Sequence, residues 1–164
     1  MIARLALAIA LILASCATPI VDTDGGPSDA GPISLTLGTG EHAFTAITDG
    51  DTLLLARGCQ GLQHVWISLR ATGIAPRGVR VRLSFTRVSD GALVSAEFDT
   101  AITFTPDASG TYDELSGLML VLPTPAPALG QPLVLRGEIT DRAGRSTSAV
   151  LNVTIAWGTE VCGA

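Results

Sequence analysis

The chain is expected to fold as an all-β domain, a single antiparallel two-sheet sandwich of about seven to nine strands. Three observations predict it. From Ile33 onward, no stretch keeps the helical apolar period over the roughly ten to twelve residues that a helix needs. Short segments rich in Val, Ile, Leu, Thr and Phe are instead separated by Gly, Pro and Asp turns. Several of these segments alternate apolar and polar residues, as a half-buried strand does. With no helical crossovers to join parallel strands, an antiparallel sandwich is the expected packing.

The elements ahead of the domain come first. One basic residue, Arg4, precedes an uncharged apolar run from Leu5 to Ala14, which is the pattern of an export signal. The run is far shorter than the about 20 apolar residues that cross a bilayer. It closes on Leu13-Ala14-Ser15-Cys16. These four residues resemble the lipobox of bacterial lipoprotein precursors: Leu at −3, small residues at −2 and −1, and Cys at +1. The resemblance implies a diacylglycerol on Cys16, cleavage before it and acylation of the new amino terminus. Buried acyl chains, at about 0.8 kcal/mol per CH₂, would hold the protein on a membrane. Ala17, in place of an Asp after the cysteine, favours the outer membrane over the inner.

The expected organisation is therefore a signal peptide at 1–15, a lipidated Cys16 with a flexible linker through 32, and one domain at 33–164. The linker is Gly, Pro, Asp and Ser with little to bury. Fully extended, it reaches on the order of 50 Å. Asp22-x-Asp24-Gly25 resembles the start of a calcium loop but lacks the later oxygen ligands, so it reads as solvated linker.

Within the domain, candidate strands lie at 33–37, 42–48, 52–57, 62–71, 79–88, 93–104, 115–122, 132–140 and 147–157. Alternation assigns their faces. Val65, Ile67 and Leu69 should point inward, as should Val79, Val81, Leu83 and Phe85, leaving Arg80, Arg82 and Ser84 outward. Leu133, Leu135 and Ile139, then Leu151, Val153, Ile155 and Trp157, repeat the inward pattern. Asp141 and Gly144 supply the turn between those last two strands, and Pro123–Pro127 reads as a rigid loop. The Leu133–Ile155 unit resembles the closing hairpin of bacterial immunoglobulin-like domains, which implies an immunoglobulin-like β-sandwich. The antibody-type Cys…Trp…Cys arrangement is not matched, because Cys162 lies beyond the last strand.

Once Cys16 is lipidated, Cys59 and Cys162 are the remaining thiols, in a compartment where disulfides persist. Pairing them closes a loop of roughly 100 residues and constrains the unfolded chain by about 4–5 kcal/mol. Free thiols or metal ligands are the alternatives. Loss of Arg4 leaves the mature chain with nine arginines, no lysine and 15 acidic residues. That acidic balance without a basic cluster argues against nucleic acid and against electrostatic binding to anionic lipid.

The segment that stands out is Arg57-Gly58-Cys59-Gln60-Gly61-Leu62-Gln63-His64-Val65-Trp66. Its Gly-x-Gln-Gly-x-x-His-Val-Trp run is similar to one in uncharacterised predicted lipoproteins of Gram-negative bacteria, a resemblance that implies no activity. Two glycines suggest a tight loop opening into a strand whose outer face carries His64, Trp66, Ser68 and Arg70. If 62–71 pairs with 79–88, Arg80 and Arg82 join that face, and Trp66 beneath an arginine would gain a cation–π contact. Three readings compete: a structural corner, a binding surface for a carbohydrate or an envelope protein, and a copper or zinc site using His64 with Cys59, Cys162 or His42.

Catalytic motifs do not appear. No Gly-x-Ser-x-Gly elbow, His-Glu-x-x-His pair or phosphate-cradling loop with Lys is present, and His42 and His64 are the only histidines. A hydrolase assembled from distant residues is the remaining enzymatic alternative. Asp49-Gly50-Asp51 reads as a turn, and Asn152-Val153-Thr154, placed mid-strand, is discounted as a glycosylation site. The sequence thus predicts a non-enzymatic, membrane-anchored domain with no cofactor.

Overall fold

The computed structural model describes residues 31–58 and 61–161. Leu13–Cys16, most of the linker with Asp22 and Asp24, and both Cys59 and Cys162 lie outside the described residues. Those described are all-β, in ten strands: β1 (Ser34–Thr39), β2 (Thr45–Ala46), β3 (Thr52–Arg57), β4 (Gln63–Thr72), β5 (Val79–Arg87), β6 (Phe98–Ile102), β7 (Thr105–Pro106), β8 (Asp113–Val121), β9 (Leu133–Thr140) and β10 (Ser146–Val161).

The strands form one mixed sheet curled into a half-barrel. Its order is β2-β1-β4-β3-β10-β9-β5-β6, with β8 added beside β4 and β7 beside β8. The long β10 makes this continuous. Its first half pairs antiparallel with β9, and its second half pairs with β3. That β3–β10 pair is parallel, with Leu53 opposite Ile155 and Arg57 opposite Val161, so the expectation of a purely antiparallel sheet is corrected. A parallel neighbour is open to β3 because β4 to β9 intervene in the chain and bring it back in the same direction.

Alternation reads the core well. Val65, Ile67, Leu69, Val79, Val81, Phe85, Leu133, Leu135, Ile139 and Ile155 are all fully buried in a single apolar cluster. Trp157 departs from the expected inward pattern and is exposed, because the β3–β10 register shifts just after it. Leu151 is only half-buried. The expected strand at 42–48 is reduced to β2, and that at 93–104 to β6.

The packing of β1 onto the opposite layer depends on one missing side chain. A Cβ on Gly137 of β9 would lie 2.5 Å from Leu37 Cδ2 and 3.4 Å from Leu83 Cδ2. Leu37, itself buried, therefore fills the space that any other residue at 137 would occupy.

The β9–β10 hairpin is fixed by Asp141, whose side chain is fully buried. Its carboxylate accepts from the backbone of Ala75, Ala143 and Arg145 and from the Arg145 guanidinium at 2.7 and 3.0 Å. Burial works to raise this carboxyl, but the hydrogen bonds and the arginine outweigh it and hold it below the usual range.

Candidate ligand-binding cleft

The positions of β1 and β3 along β4 generate the site. β8 runs along one flank of β4, from His64 to Ala71. The other flank is shared: β1 pairs with residues 68–72 and β3 with residues 63–65. Residues 52–54 of β3 thus remain paired to β10 but fall outside the β3–β4 ladder. Where the two strands part, a cleft of about 400 Å³ opens beside Trp66.

Leu54, Ala56 and Trp66 form its apolar lining, with Thr39 and Glu41 on one side and Thr159 on the other. Leu54 is 61% exposed, and Met119, the register partner of Trp66 on β8, is 52% exposed. Ala156, opposite Leu54 on β10, is exposed as well. Exposed apolar side chains thus lie on β8, β3 and β10, on either side of Trp66.

The segment after β1 forms the wall. Gly40 accepts from Ser68 Oγ at 2.8 Å and from the backbone of Gly117 on β8 at 3.2 Å, which draws this segment over the outer face of β4 and β8. The backbone at 117 has φ +76°, and a Cβ there would lie 2.5 Å from the Glu41 carbonyl, so only glycine admits this crossing. Thr39 Oγ1 donates to the Trp66 carbonyl at 2.7 Å, tying the wall to the strand beneath it.

The sequence-predicted site residues separate into two groups. His64, Trp66, Ser68 and Arg70 all lie on β4, but His64 and Ser68 are buried, Ser68 beneath the segment after β1, so the expected open face is corrected to Trp66 and Arg70. His64 is 7% exposed and meets Trp66 edge to face, with ring centroids 4.5 Å apart and planes at 81°. Its Nε2 is buried without a hydrogen-bond partner among the described residues. Burial pushes the imidazole pKa down, against opposing pulls from Glu41 and the Leu62 carbonyl, and the net direction is down.

Arg70 stacks over Phe44 at 4.3 Å and faces Tyr112 at 5.5 Å, while its Nε donates to Glu114 at 2.9 Å. Glu114 also accepts from Ser116 and from the Phe44 backbone. Burial tends to raise the Glu114 carboxyl, but these bonds prevail and lower it.

Arg80 and Arg82 stand elsewhere. β5 pairs with β6 and β9 and not with β4, so the expected pairing of 62–71 with 79–88 is corrected, and with it the grouping of these arginines with Trp66. Their partners are Asp99 and Glu138, on neighbouring strands of the same outer face. Asp99, hydrogen-bonded first of all by Arg80, titrates at about 2. Adjacent strands in the sheet need not be adjacent in the chain, and here β9, more than 50 residues on, takes the place beside β5. The cation–π contact expected at Trp66 forms instead at Trp157, where Arg57 lies 4.5 Å above the ring.

Asp49 and Asp51 act as turn residues: Asp49 accepts from the backbone and side chain of Asn152, and Asp51 from the Thr48 backbone. Among the described residues, no group of three or more His, Cys, Asp or Glu is placed to hold a metal. His42 is an exposed side chain 3.7 Å from Glu41.

The cleft itself was not legible in the sequence beyond Trp66. Leu54 sits in the run Leu53-Leu54-Leu55, where no alternation assigns a face, and only the parting of β3 from β4 gives it a role. Compared with protein-family models and with curated proteins, the chain matches none.

Proposed function

We propose that the protein is a lipid-anchored, non-enzymatic binding module of the bacterial cell envelope, carried on the outer membrane by an acylated Cys16. The observation that carries the reading is Leu13-Ala14-Ser15-Cys16 at the end of a short apolar run, followed by a Gly/Pro/Asp linker. The placement of the linker supports a partner-binding role. The linker enters the domain beside Gly73, where a Cβ would touch the carbonyls of Gly31 and Pro32, at the far end of β4 from Trp66. Six residues of strand, roughly 20 Å, separate that end from the cleft. The cleft is thus presented away from the tethered end, towards an envelope protein or carbohydrate.

The domain is read as an immunoglobulin-like sandwich, supported by the β9–β10 hairpin and by two ladders that share β10. Cys59 and Cys162 are read as a disulfide. In support, Arg57 and Val161 are register partners, and each lies within two residues of one of the cysteines.

One observation favours a second reading, a copper or zinc site formed by His64 with Cys59 and Cys162. The Nε2 of His64 is buried with no hydrogen-bond partner among the described residues, and burial disfavours the protonated form, which cannot ligate a metal.

Photo-crosslinking in cells tests the binding role, with the crosslinker at exposed position 54. The expected result is a discrete envelope partner in the membrane fraction, captured only while Cys16 is intact. Crosslinks to no envelope component, or the same capture by a Cys16→Ser chain released from the membrane, would oppose it.

A further inference from the structure

We propose that the cleft beside Trp66 binds a neutral carbohydrate of about two sugar units, an assignment that rests on the binding-module reading and adds the chemistry of the ligand. Its volume, about 400 Å³, falls within the roughly 300–1,000 Å³ of small-ligand sites. The lining divides in two. Leu54, Ala56 and Trp66 offer apolar and aromatic surface, while Thr39, Thr159 and the Glu41 carboxylate border it with polar groups. A pyranose has the same division, with C–H groups on its faces and hydroxyls around its edge. Trp66 and Leu54 suit the first, and Glu41 and the threonines suit the second.

Charge narrows the class. Among the described residues, the one charged side chain in the lining is Glu41, and no arginine contributes to it. The nearby Arg57 is stacked on Trp157 instead. A phosphate, sulfate or uronate would meet Glu41 without a countercharge, so anionic ligands are disfavoured. Glu41 is half-exposed, with the exposed His42 beside it at 3.7 Å, and can accept from hydroxyl donors. An apolar peptide would match the floor but brings only backbone N–H groups, and no side-chain donor, to that carboxylate.

The site is also preorganised. The edge contact with His64 and the hydrogen bond from Thr39 fix Trp66, and Gly40 is held by Ser68 and Gly117. Binding therefore orders little that is not already ordered.

The test uses the full mature protein in a polyoxyethylene detergent, which carries no sugar headgroup. The chain has two tryptophans, so Trp157→Phe leaves Trp66 as the reporter. Its fluorescence is titrated with cellobiose, maltose and chitobiose, with a uronic-acid disaccharide, and with an apolar hexapeptide. The expected result is saturable binding of at least one neutral disaccharide with a Kd of about 1 mM or tighter, and at least about tenfold weaker binding of the uronic acid form. Leu54→Ala and Glu41→Gln, both at exposed positions, should each weaken it several-fold with unchanged circular dichroism. No saturation by any neutral disaccharide, or equal binding by both variants, would overturn the assignment. Saturation by the peptide alone would overturn the sugar class and leave the cleft as a protein-contact surface. The intact mass of the same sample reports acylation of Cys16, so failure of the anchor and failure of the sugar assignment are read separately.

Discussion

The imidazole of His64 meets the indole of Trp66 edge to face at 4.5 Å, with its own Nε2 buried and, among the described residues, unpartnered. A histidine that a sequence reading can take as a surface ligand is thus part of the support behind an aromatic cleft wall. Its pKa is lowered because burial opposes the imidazolium more strongly than Glu41 and the Leu62 carbonyl favour it.

A pH dependence follows. The unfolded chain takes up a proton at His64 near its ordinary value of about 6.5, while the folded chain resists it. The unfolded state then binds more protons as pH falls, so stability is intact above about 6.5 and declines below it. The melting temperature should drop between about pH 7.5 and 5.5, and His64→Phe should flatten that drop. Parallel curves for the two proteins would show that His64 does not carry the effect.

Asp141 should be the most costly polar residue to remove. It accepts three backbone N–H groups and an arginine from a fully buried position. Asp141→Ala leaves those donors unpaired and should cost about 2–4 kcal/mol in denaturant unfolding, with Asp141→Asn recovering part of it. Its pKa is lowered on folding, so the contribution is present above the unfolded value and is lost as pH falls through the folded one. A loss under about 0.5 kcal/mol for the alanine variant would contradict this role.

Gly137→Ala tests how β1 packs across the core. The added methyl would lie 2.5 Å from Leu37 and should cost about 1–3 kcal/mol, while a second substitution, Leu37→Ala, should relieve part of the clash. Fully additive losses from the two changes would mean that these residues do not share the space.

The two cysteines of the domain carry a prediction on redox state. The exported protein should show no free thiol and no stoichiometric metal, and Cys162→Ala should lower stability by about 4–5 kcal/mol. Two free thiols with one tightly held zinc or copper would exchange the disulfide for the His64 metal reading.

Much of this fold is legible in sequence because burial follows the two-residue period of a strand. β3 falls at the predicted 52–57, and the inward faces of β5 and β9 are as expected. What alternation does not carry is which strands become neighbours. Arg80 and Arg82 looked like companions of Trp66 because β4 and β5 are consecutive, yet β5 joins β6 and β9. Trp157 misleads for a related reason: the register shift that exposes it depends on β3, about 100 residues earlier. The cleft is hidden for the same reason, since it arises where β1 and β3 share one flank of β4.

The anchor is the centre of the account, and intact-mass and amino-terminal analysis of the protein from its native membrane tests it most directly. The predicted result is a chain that begins at Cys16, carries acyl groups on that residue, and becomes unacylated and membrane-free in a Cys16→Ser variant. A chain that begins elsewhere, or that begins at Cys16 without lipid, would contradict it.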